Sequence, residues 1–169
     1  MGARRNPRCV GGGRAYRRPR VQARRPASPM IQAILTLSPV AVLAVALLGF
    51  CLGAIWYSPL LFVKAWMEEM KITPESAKAG SGRFGRVMAG AVLCTVVSTF
   101  TLAALLAAHR VQGVLKGAEL GLLVGAGLVA AREGTNALFE GRTLRHFLIT
   151  AGHDVALCVV QGAILAVWR

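Results

Sequence analysis

Six polar side chains interrupt the apolar second half of this chain, and they are the residues best suited to chemistry. They fall near the end of one apolar run and near the start of the next: Arg132, Glu133, Asn136, His146, His153 and Asp154. Histidine exchanges protons near neutral pH, carboxylates can accept protons or hydrogen bonds from a neighbour, and both also bind metal ions. Three interpretations follow: a hydrogen-bond clamp between helices, a proton- or ion-handling site, and a catalytic site.

Spacing places part of this polar cluster on facing helices. Glu133 and Asn136 are three residues apart, so they share one face of a helix. With a rise of about 1.5 Å per residue, Glu133 and Asp154 lie at comparable depth, roughly 10 Å inside their runs. A charge in hydrocarbon is costly, and each one therefore needs a partner from another helix. We expect Arg132 to pair with Asp154, and Glu133 with His153.

The spacings argue against a catalytic or metal centre. No E-x-x-H or H-E-x-x-H pattern joins the histidines and carboxylates, and the four cysteines form no C-x-x-C pair. Ser58 stands before a proline at a predicted helix start, and no G-x-S-x-G pattern surrounds a serine. The sequence therefore predicts no catalytic residue, no metal and no cofactor.

Four apolar runs are the elements that must position the polar cluster. The chain is 55% hydrophobic and 16% charged, against about 25% charged residues in typical soluble domains. A helix needs roughly 20 apolar residues to cross the hydrocarbon core of a bilayer. We predict an all-α integral membrane bundle of four transmembrane helices, with a short interfacial helix after the first. The predicted spans are about 36–57, 87–108, 117–139 and 147–168.

The third run carries charges inside it. It contains Glu119, and it is long enough to span only if its helix continues through Arg132 and Glu133 to about Phe139. Polar groups at membrane depth are tolerated where they face the interior of a bundle. We therefore expect these side chains to face the neighbouring helices.

Glycines recur at four-residue intervals in the first and third runs. This spacing puts small residues on one helix face, which lets helix backbones approach closely in lipid. We expect this face to pack helices and to support a homo-oligomer, and a glycine-lined pore is the alternative. The predicted packing residues are Gly49, Gly53, Gly117, Gly121 and Gly125.

The stretch after the first run predicts a change of direction at the membrane surface. Aromatic residues mark the end of the span, and Ser-Pro is a typical helix start. A helix from Pro59 to about Met70 would place Phe62, Trp66 and Met70 on a lipid-facing stripe, with Lys64 directed toward headgroups. The residues of this predicted interfacial motif are Trp56, Tyr57, Ser58, Pro59, Phe62, Lys64 and Trp66.

The same stretch carries a resemblance. WYSPLLFVKAW at 56–66 resembles the signature of the domain of unknown function 1761 family, a family of small bacterial membrane proteins. NALFEGR at 136–142, FLITAG at 147–152 and GAILAVW at 162–168 follow in the order of that pattern. The resemblance covers about residues 30–168, and it implies four transmembrane helices and no established activity.

The net charge of +13 does not indicate a nucleic-acid partner. Nine of the 20 Lys and Arg residues fall before Ser28, in a segment that predicts disorder rather than a folded basic face. Residues 1–29 are interpreted as an untranslated stretch before a start at Met30, as a basic tail that contacts anionic lipid, or as a targeting segment. Residues 30–169 form the predicted membrane domain.

Two classes of function are compatible with this sequence. The first is a structural or accessory protein of the plasma membrane that self-associates. The alternative is a small transporter or proton-coupled carrier that uses the polar cluster at the ends of the third and fourth helices. Only the bilayer and a second copy of the chain are expected as partners, and an enzyme is the least supported class.

Overall fold

The structure is a computed structural model that describes residues 28–73 and 81–168. Regular secondary structure within these two ranges is entirely helical. The elements in chain order are α1 (Pro29–Leu35), α2 (Pro39–Trp56), α3 (Val63–Glu69), α4 (Ser81–Ala108), α5 (Val114–Val124), a π-helical turn (Gly125–Ala130), α6 (Ala131–Phe139) and α7 (Leu144–Leu165).

The predicted fold class is confirmed. In the described part of the chain, four helices are long and apolar enough to cross a membrane: Pro39–Trp56, Gly82–Ala108, Val114–Phe139 and Leu144–Leu165. The third of these joins α5, the π-helical turn and α6 into one continuous helix. Residues 1–27 of the predicted N-terminal extension lie outside the described residues, and the predicted domain boundary stays a prediction.

A serine and a proline begin the first span. The Ser38 hydroxyl accepts a hydrogen bond from the backbone N–H of Ala41 at 3.4 Å, and Pro39 is the first helical residue. Proline suits this position because the first N–H groups of a helix have no partner within the helix. Ser28 caps α1 in the same way. The first apolar run is therefore divided into two helices, and α1 packs against α4.

The Ser-Pro pair at Ser58 and Pro59 behaves differently. The Ser58 hydroxyl accepts from the N–H of Leu60 at 3.3 Å, which closes a tight turn instead of capping a helix. The predicted helix start at Pro59 is wrong, because α3 begins only at Val63. The chain thus leaves the first span through an irregular turn before it becomes helical again.

Helix α7 lies at the centre of the bundle. It packs against α2, α4 and α5. Helix α5 packs mainly on α7 and has few contacts with α2 or α4. The apolar core lies where α2 begins and where α4 and α7 end, and we call this the terminal end. Its members, each at most 6% exposed, include Val42, Val45, Leu102, Leu106 and Leu165. The opposite end, where α2 ends and α7 begins, is called the aromatic end.

The glycines of the third span bring two backbones into close contact. A Cβ atom on Gly117 would lie 2.2 Å from the carbonyl oxygen of Gly162, and one on Gly121 would lie 2.2 Å from that of Cys158. A Cβ on Gly125 would lie 3.0 Å from the Cα of Val155. Only hydrogen fits at these positions, so this glycine face packs α5 onto α7 within one chain.

The glycines of α2 face side chains of α7. A Cβ on Gly49 would lie 2.6 Å from Leu157 Cδ1 and 2.8 Å from Gln161 Nε2. One on Gly53 would lie 3.2 Å from His153 Nε2. These two glycines make room for large α7 side chains, and they too face the interior of the chain.

The π-helical turn changes the direction of the side chains that follow it. It covers Gly125–Ala130, in the middle of the third span. Its i→i+5 hydrogen bonds add about one residue to the turn, so the residues after it are rotated relative to a regular α-helix. Arg132 and Glu133 come directly after this rotation, and their placement is therefore not the one that regular helical spacing predicts.

Candidate functional site

Aromatic rings and one imidazole pack together at the aromatic end. Tyr57 lies between Trp66 and His153, with ring centroids 5.8 and 5.3 Å away. Trp56 lies between Phe62 at 4.8 Å and His153 at 6.0 Å. We call this group, together with the carboxylate beside it, the aromatic–histidine site; its members are Trp56, Tyr57, Phe62, Trp66, His153 and Asp154.

A hydrogen bond fixes the end of the first span to α7. The indole N–H of Trp56 donates to the carbonyl oxygen of Ile149 at 3.0 Å. The ring lies 3.4 Å from the position of a Cβ on Gly152, so the small residue there makes room for the indole. The sequence predicts Trp56 as an aromatic-belt residue, and the structure shows that it also joins two spans.

His153 is the chemically distinctive residue of the site. Its Nδ1 lies 2.9 Å from Asp154 Oδ1, and its Nε2 is buried without a hydrogen-bond partner beside Gly53. The His153 side chain is 14% exposed and that of Asp154 is 38% exposed. A carboxylate on one ring nitrogen leaves the other nitrogen able to take a proton. The pair therefore combines one hydrogen-bonded ring nitrogen with one unpartnered ring nitrogen at the edge of the bundle.

The phenol of Tyr57, one residue beyond the first span, responds to the carboxylates nearby. Burial, reinforced by the negative charges of Asp154 and Glu133, raises the pKa of Tyr57 to about 12. Burial and negative neighbours both disfavour the phenolate. Glu133 therefore acts on the site electrostatically without being bonded to His153.

A second set of contacts joins α3 to the start of α7. Arg145 Nη1 lies 3.0 Å from Glu68 Oε2 and 3.8 Å from Glu69 Oε1, and the hydroxyl of Thr143 donates to Glu69. Thr143 also caps α7 by accepting from the N–H of His146 at 3.1 Å. We call this group the α3–α7 clasp; it comprises Glu68, Glu69, Met70, Glu140, Arg142, Thr143, Arg145 and His146.

Arg142 occupies the centre of the clasp. Its Nε lies 2.7 Å from Glu140 Oε2, and its Nη1 lies 2.8 Å from the sulfur of Met70 and 3.4 Å from His146 Nε2. His146 is only 6% exposed, and its Nδ1 has no partner. These contacts hold α3 against the end of the bundle.

The predicted polar cluster is rearranged in the structure. Arg132 forms no ion pair with Asp154 within the described residues, and Glu133 none with His153. His153 bonds its sequence neighbour Asp154 instead, because two short side chains can reach each other along the helix. Arg132 and Glu119 are exposed, contrary to the expectation that they face the interior. Glu133 and Asn136 are half-buried.

The predicted lipid-facing stripe of the interfacial motif faces the protein. Trp66 packs on Tyr57, and Met70 contacts Arg142. Lys64 is exposed, as are the two leucines of the preceding turn. The predicted stripe of α3 is therefore directed toward the protein instead of lipid.

Sequence reasoning missed a buried polar pair between α4 and α7. Gln161 is 1% exposed and donates from Nε2 to the Thr99 hydroxyl at 2.7 Å. Thr99 is fully buried and donates in turn to the carbonyl oxygen of Thr95 at 2.7 Å. The signal was present, because a glutamine within an apolar span needs a partner.

No metal centre is built by the described part of the chain. Within residues 28–73 and 81–168, no group of three or more His, Cys, Asp or Glu side chains is placed to hold an ion. No serine or cysteine hydrogen-bonds His153 there. The chemistry that the site offers is proton binding and aromatic contact.

Comparisons with known proteins place the chain in a family. A family model described as "Protein of unknown function (DUF1761)" matches residues 40–166, which include both the aromatic–histidine site and the α3–α7 clasp. Neither the curated proteins nor the solved structures give a match. The matched segment contains nearly all of the four spans, and the chain belongs to the DUF1761 family.

Proposed function

We propose that this protein is a structural or accessory protein of the plasma membrane that self-associates through α4. The observation that carries the proposal is the open space at Gly90. A Cβ atom there would meet nothing within 4 Å, whereas the glycines of α2 and α5 are filled by α7. Small residues attract another helix in lipid by allowing close approach. A small residue that no helix of the described residues covers is therefore open to one from a second copy.

Gly90 belongs to a longer face of small side chains. Gly90, Cys94, Ser98 and Thr101 are all exposed and follow one another at intervals of three or four residues. Ser98 donates to Thr95 O and Thr101 to Val97 O, each at 2.9 Å. These hydroxyl groups are thus satisfied within α4, and the face can meet an apolar partner without an unpaired donor.

Natural Cys94 provides a direct test of this contact. We expect oxidation of the full chain in nanodiscs to give a disulfide-linked dimer through Cys94, because a symmetric contact along this face brings the two thiols together. Gly90→Ile should abolish cross-linking and shift native mass spectra to monomer. Gly85→Ile is the matched control, since Gly85 is equally open but lies on another side of α4. A wild-type chain that stays monomeric, or equal cross-linking in Gly90→Ile, would refute self-association through this face.

A second candidate function is a small proton-coupled carrier. The unpartnered Nε2 of His153 and the partly exposed carboxylate of Asp154 favour it. A cavity of about 190 Å³ lies at the terminal end, between the α1–α2 connection, the start of α2 and the ends of α4 and α7, away from this pair. The self-associating role is therefore preferred. Proton uptake into liposomes that contain the full chain, lost in Asp154→Asn, would instead establish the carrier.

A further inference from the structure

The acidic side chains at the aromatic end are largely used within the protein. Glu68 and Glu69 bind Arg145, and Glu140 binds Arg142. Asp154 is bonded to His153. The three carboxylates of the α3–α7 clasp thus share two guanidinium groups, which leaves the clasp with one negative charge in excess.

A set of basic side chains at the same end is left without carboxylate partners. All of its members are exposed, and within residues 28–73 and 81–168 none forms an ion pair. Among the described residues of this end, the carboxylate that remains outside any ion pair is that of half-buried Glu133. The aromatic end therefore presents an excess of positive charge; its members are Lys64, Lys71, Arg83, Arg86 and Arg132.

Exposed leucines precede one of these lysines in the turn before α3. Leu60 is 89% exposed and Leu61 is 50% exposed, four and three residues before Lys64. The aromatic residues of the same segment, Phe62 and Trp66, turn toward the protein. The exposed groups of residues 60–71 thus combine two leucines and two unpaired lysines with Glu68, which is bound to Arg145, next to the end of a membrane span.

We propose that the outward side of residues 60–71 is a binding surface for anionic phospholipids. Leu60 and Leu61 enter the acyl region, while Lys64 and Lys71 contact the phosphate groups. A soluble anion would satisfy the lysines but leave both leucines in water, so the combination selects a lipid. A neutral lipid surface would accept the leucines but would gain little from the cations.

The α3–α7 clasp gives this surface a fixed position. Glu68 and Glu69 hold α3 to Arg145 and Thr143, and Trp66 packs on Tyr57. The outward face of α3 is therefore presented by a docked helix rather than by a free loop. Because anionic lipid is concentrated in the cytoplasmic leaflet, the surface also favours an orientation with the aromatic end in the cytoplasm.

Lipid selectivity measured on the full chain tests the proposal. Spin-labelled phosphatidylglycerol and phosphatidylcholine are compared in nanodiscs that contain the purified protein, and the immobilised fraction of each is recorded. We expect a preference for phosphatidylglycerol that falls about fivefold in Lys64→Gln, the equivalent of the ~1 kcal/mol that each cation gains near an anionic surface. Lys116→Gln is the matched control, since it removes one exposed lysine at the terminal end, near exposed Glu119. This control should change the preference for phosphatidylglycerol by less than about twofold.

Salt, a leucine substitution and free phosphate separate lipid binding from the capture of a soluble anion. The wild-type preference should weaken as salt rises, because exposed charges are screened over about 10 Å at 0.1 M ionic strength. Leu60→Ser should also reduce it, whereas inorganic phosphate should not displace the lipid. Equal selectivity in wild type and Lys64→Gln, salt-independent selectivity, or displacement by millimolar phosphate would each overturn the proposal. The salt titration needs no variant, so it decides the matter even if a substitution prevents folding.

Discussion

Replacing Gly121 by alanine should force α5 and α7 apart. The new Cβ would lie 2.2 Å from the Cys158 carbonyl oxygen and 3.0 Å from the Cα of Val159. Both neighbours are backbone atoms within a regular helix, so neither can turn away as a flexible side chain would. Ordinary contact requires a separation of about 3.5 Å, and the two axes must therefore move apart by roughly 1 Å at this point.

The cost of that movement is set by the rest of the interface. Overpacking of a filled site typically costs about 1–3 kcal/mol, and alanine returns at most ~1 kcal/mol through its higher helix propensity. Gly117 contacts Gly162 one turn away, so the same displacement loosens a second close contact. We expect a net loss of about 2 kcal/mol in the free energy of unfolding, since helix association in lipid depends on such packing.

Equilibrium unfolding of the full chain in mixed micelles measures this loss, followed by far-ultraviolet circular dichroism. Gly85→Ala is the matched control because no atom lies within 4 Å of its Cβ position. This control should be neutral or up to ~1 kcal/mol more stable than wild type. If Gly121→Ala and Gly85→Ala unfold at the same detergent concentration, the inferred close contact between α5 and α7 is wrong.

Two further predictions concern a phenol and a buried polar pair. Burial, with Asp154 and Glu133 as smaller contributors, raises the pKa of Tyr57 from 10.0 to about 12, so the folded chain holds this proton more tightly than the unfolded chain does. This stabilisation is complete below about pH 10 and is lost as the pH rises through about 12. A Tyr16→Phe variant has Tyr57 as its remaining tyrosine, and its phenolate absorbance should therefore appear only near pH 12. Thr99→Val leaves the Gln161 amide unpaired and should cost about 1 kcal/mol, whereas Gln161→Leu added to it should cost less than the sum of both single changes. Additive losses in that double-mutant cycle would show that the two side chains are not coupled.

The four spans could be predicted because length and hydropathy alone decide whether a helix can cross a membrane. The continuation of the third span through Arg132 also followed, since α5 by itself is too short. The division of the first run at Ser38 and Pro39 was missed, although the same Ser-Pro pattern at Ser58 predicts a helix start. Ser38 is followed at once by residues that continue as a helix, whereas Ser58 is followed by a turn that precedes α3.

The candidate site could be predicted in its members but not in its contacts. His153 and Asp154 stand out by their residue types, and Trp56 and Tyr57 by their place at the end of a span. Their partners depend on how α2 and α3 meet α7, which no local spacing determines. The expected Arg132–Asp154 pair failed for a related reason, since a π-helical turn precedes Arg132.

The two ends of the bundle differ in how completely their polar groups are satisfied. Toward the middle and the terminal end, Gln161 and Thr99 bond each other beside a closed apolar core. At the aromatic end, His146 Nδ1 and His153 Nε2 are buried without a hydrogen-bond partner. No other buried side-chain nitrogen or oxygen atom of the described residues lacks one. An unsatisfied buried group costs about 1–3 kcal/mol, so this end tolerates a strain that the apolar core and the glycine contacts must offset. These groups lie at the end that we propose contacts anionic lipid, and they separate it from the end that keeps the helices together.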